Sequence, residues 1–323
     1  MKIAIVGGGW YGCHLATVLK NEHDVTLYEK EHIFSGISSK NQNRLHLGFH
    51  YPRSFATRKE SREGFERFIE KYGHLTKKVE NNFYSIHNNS LVDYETYLSI
   101  FRYEEYDFEV INNDTNNSLS NYLKVDERQI LHLKARMYFE NILQKNIKKT
   151  AFEDSQKNNY DLVIDCTCNQ LYEFEKGFEF ERFLYFVICS DLKLDPMIVM
   201  DGGFYSIFPL ESIENKNFYT FTHVKNGVLM KGDSFKVVDK YYLTNEEEIE
   251  NYKASISDYF NEDINAHQNI ISLISAEYAT KIKMKKKCDA RTVQIINHEN
   301  ILTVIPGKID AIFTAEDMIN EYI

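Results

Sequence analysis

The strongest constraint on this chain lies in its first thirty residues. Lys2–Val6 is a short apolar run that leads directly into Gly7, Gly8, Gly9, Trp10, Tyr11 and Gly12. Read as G-x-G-x-x-G, the motif sets Gly7, Gly9 and Gly12 after a predicted strand and before a predicted helix from about Tyr11 to Asn21. In a βαβ unit of this kind the first glycine permits a tight turn and the second lets backbone approach a pyrophosphate. The third lets the helix pack on the strand, and the helix N-terminus presents unpaired N–H groups to the phosphate charge. A second strand, Val25 to Tyr28, ends at Glu29, 20 residues beyond Gly9. A carboxylate there accepts hydrogen bonds from ribose hydroxyls and repels a 2′-phosphate. Strand, glycines, helix, strand and acid in this order indicate dinucleotide binding rather than a plain glycine-rich turn.

The chain of 323 residues has room for two domains, or for one domain carrying a large insertion, and its apolar content of 43% is ample for a packed core. A net charge of −10 argues against nucleic acid or an anionic membrane as partner, since both require a positive surface. A small-molecule ligand is expected. The five cysteines, Cys13, Cys166, Cys168, Cys189 and Cys288, are scattered and odd in number, which suggests no disulfide framework and fits a reducing cytoplasm. The apolar N-terminus is too short for a signal-peptide core, and no window approaches the 18 apolar residues of a membrane span. No stable membrane insertion is therefore expected.

Beyond the first unit, Ser35 to Ser54 is polar and contains Gly36, Gly48 and Pro52, so it reads as a long functional loop. A helix is predicted over Arg58 to Tyr72, strand-like runs within Asn81 to Ile100, including Asn82 to His87, and an Asn/Ser-rich turn over Asn112 to Asn121. Leu131 to Lys148 reads as a helix and Tyr160 to Thr167 as a strand buried in a parallel sheet. Candidate strands at Phe183 to Ser190, Phe204 to Pro209, Phe218 to His223 and Gly227 to Lys231 suggest an antiparallel sheet. A helix over Glu246 to Asn261, capped by Thr244 or Asn245, precedes a last strand, Ile301 to Ile305, and a helix from about Lys308 to Tyr322. The fold class is α/β.

Three separated segments carry a family resemblance: VGGGWYGCHLA with its LYEK acid, YDLVIDCTC, and TVIPGKIDAIFTAED. Through them the chain resembles the FAD-dependent oxidoreductases of the D-amino-acid oxidase and glycine oxidase superfamily. YDLVIDCTC occupies the place of that family's DxVVxATG strand, with Cys168 where glycine is usual. The third segment is similar to the strand, glycine turn and helix N-terminus that face the flavin pyrimidine ring. The resemblance implies an FAD-binding Rossmann-like domain of the glutathione-reductase type, with an inserted α+β antiparallel-sheet substrate domain. The expected boundaries are 1–60, 130–170 and 285–323 for the FAD-binding domain, and 61–129 and 171–284 for the substrate domain. Two-electron reduction leaves negative charge at flavin N1 and O2, which the helix N-terminus at Gly307, Lys308 and Ile309 would stabilise. Lys308 either adds a full positive charge there or is a solvated lysine.

By the same resemblance, Ser38 to Ser54 passes the pyrophosphate and reaches the isoalloxazine ring. Ser38, Ser39, Asn43 and the adjoining Leu45 then join Gly7, Gly9, Trp10, Tyr11, Gly12, Glu29, Lys30 and Thr167 as expected cofactor contacts. Within ten residues this loop holds Arg44, His46, His50, Tyr51 and Arg53, a density of titratable groups unusual for a structural loop. His46 and His50 are either flavin-proximal or ordinary loop histidines. Their spacing has no companion ligands, so no metal is expected. Arg44, Arg53 and Arg291 are candidate clamps for an anionic substrate group, with surface ion pairing as the alternative. Tyr205, following the turn Asp201 to Phe204, either supplies a hydroxyl or is an ordinary sheet tyrosine. Lys281, Lys283, Lys285, Lys286 and Lys287 read as an exposed strand face or, less simply, as a site for a phosphate-bearing substrate. Cys166 and Cys168 read as core positions.

The expected activity is oxidation of a C–N or C–O bond of a small polar substrate by hydride transfer from its carbon to the flavin, with His46 or His50 as base or flavin-polarising group. An alternative keeps the flavin without net redox change. Gly48, Phe49, His50 and Tyr51 resemble part of a UDP-galactopyranose mutase segment, which would imply isomerisation of a nucleotide-sugar. A third reading is a nucleotide-binding regulatory protein without catalysis.

Overall fold

The computed structural model describes residues 1–114, 118–173, 177–200, 205–210, 216–242, 250–251, 271–284 and 290–323. The expected helix over Glu246 to Asn261 with its cap, apart from the helical Glu250 and Asn251, the turn Asp201 to Phe204, the lysines Lys285 to Lys287, Cys288 and the tip of the Asn112 to Asn121 turn lie outside the described residues.

Among the described residues six strands form the first sheet, in the order Gln294–His298, Ile301–Ile305, Leu162–Asp165, Lys2–Val6, Asp24–Glu29 and Ile147–Lys149. All neighbours run parallel except the first two, which form an antiparallel hairpin. Lys2–Val6 is buried from Ile3 onward, as a parallel strand covered on both faces must be. On one face its Ile3 and Ile5 join a core with helices Trp10–Leu19, Phe55–Tyr72, His132–Ile142 and Ile312–Asn320. On the other face Ala4 and Val6 pack with Tyr28, Phe152, Val163 and Ile301.

Two element boundaries depart from the periodicity. The helix expected to Lys148 stops at Ile142, and Ile147–Lys149 instead pairs with Leu27, Tyr28 and Glu29 as an edge strand. The available partner decides this: the Leu27 N–H donates to the Asn146 carbonyl at 2.8 Å, and the Asn146 side chain donates to the Val25 carbonyl at 2.9 Å. Within Asn81 to Ile100, where only strand-like runs were expected, a helix forms over Tyr94–Tyr103. Asp93 caps it, accepting from the Thr96 N–H at 2.8 Å, and Tyr97, Leu98 and Phe101 are its buried stripe.

Among the described residues the second sheet has nine strands, antiparallel except where Met197–Met200 runs parallel to Phe83–Ile86. Near one end of this sheet the long strand Phe178–Ser190 pairs along one edge with Ile271–Met284. The other edge is shared end to end by Asn217–His223 and Val228–Gly232. A small sheet of Arg44–Leu45, Arg128–Ile130 and Thr76–Lys78 ties the histidine loop to the segment that leads out of the second sheet.

Candidate active site

At the end of the central strand the glycines are sterically obligatory. Gly7 takes φ +102°, and a Cβ on it would lie 2.9 Å from the Cys166 carbonyl oxygen. A Cβ on Gly12 would lie 1.9 Å from the Gly7 carbonyl oxygen. Gly9 faces the Ser38 hydroxyl, which accepts from the Trp10 N–H at 3.0 Å. Glu29 accepts from the Gly8 N–H at 2.7 Å and the Glu31 N–H at 3.0 Å, so its carboxylate is anchored at the strand end. Bare backbone at three glycines, a helix N-terminus, a hydroxyl and an anchored acid fit the diphosphate and ribose of FAD.

Other residues expected at the cofactor have mixed surroundings. The Trp10 ring is core, packed on Phe34, Phe68, Tyr72 and Phe139, and the Leu45 side chain is buried in the same cluster. Ser39 donates to the Phe34 carbonyl at 2.7 Å. Asn43 sits at φ +51° immediately before the small-sheet strand Arg44–Leu45, its carbonyl accepting from the Ile130 N–H at 2.7 Å. Lys30 is exposed. The Thr167 hydroxyl donates to Asp165 at 2.5 Å and accepts from the Gln170 and Leu171 N–H groups, closing the turn. In that turn Cys168 and Asn169 both adopt left-handed φ, +60° and +61°, the conformation for which glycine is the usual residue.

The loop after Arg44 is held from three sides. Glu127 accepts from the Leu47 N–H at 3.0 Å, Tyr97 donates to the Phe49 carbonyl at 2.7 Å, and Arg58 donates to the carbonyls of Tyr51 and Pro52 at 2.9 and 2.6 Å. The loop thereby gathers His46, His50 and Tyr51, whose ring centroids lie 5.3–6.3 Å apart. Arg44 is buried with its guanidinium 4.1 Å above the Phe208 ring and donates to the Ser206 hydroxyl at 3.0 Å. Burial pushes both histidines well below the usual imidazole range, and the positive charges of Lys308 and Arg44 push the same way. Arg291 and Lys281 add to this at His50. Both rings are therefore neutral at physiological pH.

The C-terminal segment closes the site. Tyr11 donates to the Lys308 carbonyl at 2.6 Å and accepts from the Gly307 N–H at 3.1 Å, joining the glycine-loop helix to the last turn. Ile309 begins the short 3-10 turn Ile309–Ala311. The Lys308 ammonium lies 5.1 Å from the Tyr51 ring centroid, and burial together with Arg291 lowers its pKa to about 8. Beneath it, burial raises Asp310 to about 7 against the opposing influence of Ser61 and Lys308, and burial with Asp310 raises Glu60 to about 7.

Asp310 makes stability pH-dependent. Its folded state holds a proton that the unfolded state releases near the ordinary value of 3.8. The resulting stabilisation is complete below that pH and is lost as pH rises through about 7. A shift of this size in a fully buried group corresponds to about 4 kcal/mol. Chemical denaturation of the holoenzyme at pH 4.5 and 8 should show the drop in the wild type and a smaller one in Asp310→Asn, where burial still raises Glu60.

Not every expected site residue joins the cluster. Arg53 is exposed immediately before the Ser54 cap of the long helix. Tyr205 packs in the apolar core of the second sheet, stacked on Phe221, whereas Ser206 and Phe208, one and three residues on, meet Arg44. Alternation along the strand thus turns Tyr205 to the opposite face from Arg44. Lys281 and Lys283 pair with Glu181 and Glu179 across the strands, so the charges of these two lysines are countered. Arg291 anchors through its N–H to the Thr57 hydroxyl at 2.9 Å. The sequence reading did not single out Glu127, Asp310 or Glu60. In the run Asp126, Glu127, Arg128 an acid looks solvated, and no local signal marks it as buried.

Residues 2–114 match the family model described as FAD dependent oxidoreductase. Over 342 aligned residues the chain is 29% identical to the FAD-dependent monooxygenase FPY4 of Fusarium mangiferae, covering 98% of this chain and 90% of that protein. Among solved structures it is similar to NikD, described as an unusual amino acid oxidase essential for nikkomycin biosynthesis. There the TM-score is 0.71 at 11% identity, over 97% of this chain and 91% of that one. Glycine oxidase from Geobacillus kaustophilus gives 0.66 at 12% identity, over 99% and 93%. At these identities the two structures establish a shared fold. The mutase reading is not carried forward: these matches are to oxidoreductases and monooxygenases, and in the segment it rested on, Phe49 is wholly buried against Phe101, Tyr84 and Tyr106.

Proposed function

We propose that this chain, an FAD-dependent oxidoreductase of the superfamily that includes D-amino-acid oxidase and glycine oxidase, oxidises a C–N or C–O bond of a small anionic substrate. One observation carries the reading: the half-buried rings of His46 and His50 lie 5.8 Å apart, the charges of Arg44 and Lys308 bear on both, and that of Arg291 bears on His50. When bound, FAD supplies the two-electron acceptor. Arg44 and Arg291 would hold the substrate's anionic group, Arg44 with its plane fixed by Phe208 and Ser206. A neutral imidazole is the state that accepts the N–H or O–H proton released on oxidation. Lys308, its carbonyl held by Tyr11, would direct a positive charge toward the reduced cofactor. Gly7, Gly9, Gly12, Ser38 and Glu29 would hold its diphosphate and ribose.

The inferred domains are 1–60, 130–170 and 285–323 for FAD, and 61–129 and 171–284 for substrate. Among the described residues no helix is long and apolar enough to cross a membrane. The net charge of −10 disfavours nucleic acid. The free thiols of Cys13, Cys166 and Cys168, all pushed upward by burial, suit a reducing compartment such as the cytoplasm.

The relative named a monooxygenase supports a second reading, insertion of one oxygen atom into the substrate. The test is anaerobic bleaching of the holoenzyme's flavin by small amino and hydroxy acids, their methyl esters and amides, with mass determination of the aerobic product. Bleaching by acids but not esters is expected, with a product lighter by two hydrogens from a hydroxy acid, and from an amino acid the keto acid and ammonia left when water hydrolyses the imine. Equal bleaching by esters would sink the anion clamp, and a product heavier by one oxygen would select the second reading.

A further inference from the structure

We propose that Glu127 is the positioning residue that makes His46 the proton acceptor of the histidine pair, by fixing its Nδ1–H tautomer and facing the imidazolium with a carboxylate. The inference rests on the function proposed above and deepens it. Glu127 lies between strands Tyr122–Lys124 and Arg128–Ile130, with its carboxylate fully buried. Its hydrogen-bond partners are donors: the Leu47 N–H at 3.0 Å, the Tyr84 hydroxyl at 2.9 Å and the Asn82 amide at 3.4 Å. Burial raises the Glu127 carboxyl above its ordinary value, and Arg44 and these donors act against that rise, toward the ionised form.

The Oε1 that accepts from Leu47 lies 3.8 Å from Nδ1 of His46. Because Leu47 is the next residue, the same hydrogen bond sets the carboxylate's position relative to the imidazole. A lone pair on Nδ1 facing this oxygen is repelled and an N–H is attracted, so the proton of neutral His46 belongs on Nδ1 and the basic lone pair on Nε2. When Nε2 takes the substrate proton, the new positive charge meets Glu127. Around His46 the other charged or titratable groups are Lys308, Arg44, His50 and Tyr51, and the two cations oppose protonation. Glu127 in turn faces Arg44 and Tyr84 and acts on Tyr97, Lys308 and Asp310. With an oxygen 3.8 Å from Nδ1, its carboxylate would be the countercharge to the cations at the base.

The experiment is nitrogen NMR of the FAD-loaded full chain with labelled histidine, using His46→Asn for assignment, and comparing wild type with Glu127→Gln and Glu127→Asp across acid pH. Wild-type His46 should carry its neutral proton on Nδ1. Glu127→Gln should lower its titration midpoint by about one unit or more, and Glu127→Asp should keep most of the wild-type value. Should Glu127→Gln not fold, the smaller displacement in Glu127→Asp makes the same comparison. A neutral proton on Nε2, or a midpoint unmoved in both variants, overturns the proposal. No substrate enters this measurement, so failure of the proposed oxidation, seen as no bleaching by any acid, is separable from failure of the Glu127 assignment.

Discussion

Gly12→Ala is expected to yield protein that retains no FAD and loses more than about 4 kcal/mol of stability. The added methyl would sit 1.9 Å from the Gly7 carbonyl oxygen, a contact that only backbone movement relieves. Neither side can yield cheaply. The Gly7 N–H donates to the Tyr28 carbonyl at 2.9 Å, and the helix begins with the Cys13 N–H donating to the Gly9 carbonyl at 2.9 Å. Moving the helix away would also open the core around Trp10 and Cys13. Gly36→Ala is the control, since a Cβ there meets nothing within 4 Å. The flavin-to-protein absorbance ratio after gel filtration, with thermal unfolding of each variant, reads both effects. Full flavin retention by Gly12→Ala would remove the loop from the binding site.

Arg44→Met should weaken turnover of an anionic substrate by about 30- to 1000-fold in kcat/KM, the range associated with truncating one partner of a buried charged contact. Most of the loss should appear in KM, because the guanidinium binds the anion before and during reaction. Arg44→Lys should recover little of it. A lysine ammonium cannot reproduce the planar contact over Phe208 at 4.1 Å together with the donated bond to Ser206. Arg44→Met should also raise the midpoints of His46 and His50, since Arg44 now depresses both. Steady-state kinetics with whichever acid bleaches the wild-type flavin, followed by a histidine titration, checks the two arms. Unchanged KM with that acid would mean that another cation carries the anion.

The parallel-sheet core was legible because its signals are local. An apolar run, three glycines at fixed spacing and an acid at the next strand end each reflect a steric or hydrogen-bonding need satisfied within about thirty residues. The loop from Arg44 to Arg53 was legible as a concentration of titratable groups, though its members divide in the structure. Arg44, His46, His50 and Tyr51 turn inward and Arg53 outward, because Arg58, Tyr97 and Glu127 hold the intervening backbone. Elements that depend on a partner were not legible. Ile147–Lys149 becomes a strand because the edge of Asp24–Glu29 is open to it, and Tyr205 turns from the site because its strand's register puts Ser206 toward Arg44.

By itself, then, the sequence determined a dinucleotide-binding βαβ unit, the bare-backbone approach to its diphosphate, and an expected site rich in arginine and histidine. Tertiary structure alone decided which charges meet. Glu127 reaches Leu47 across 80 residues of chain, Tyr11 bridges to Lys308 across 297, and Asp310 is buried beside Glu60. The reason is physical: backbone conformation and glycine sterics are set by near neighbours, whereas burial and electrostatic pairing depend on surfaces that touch only after the chain has folded.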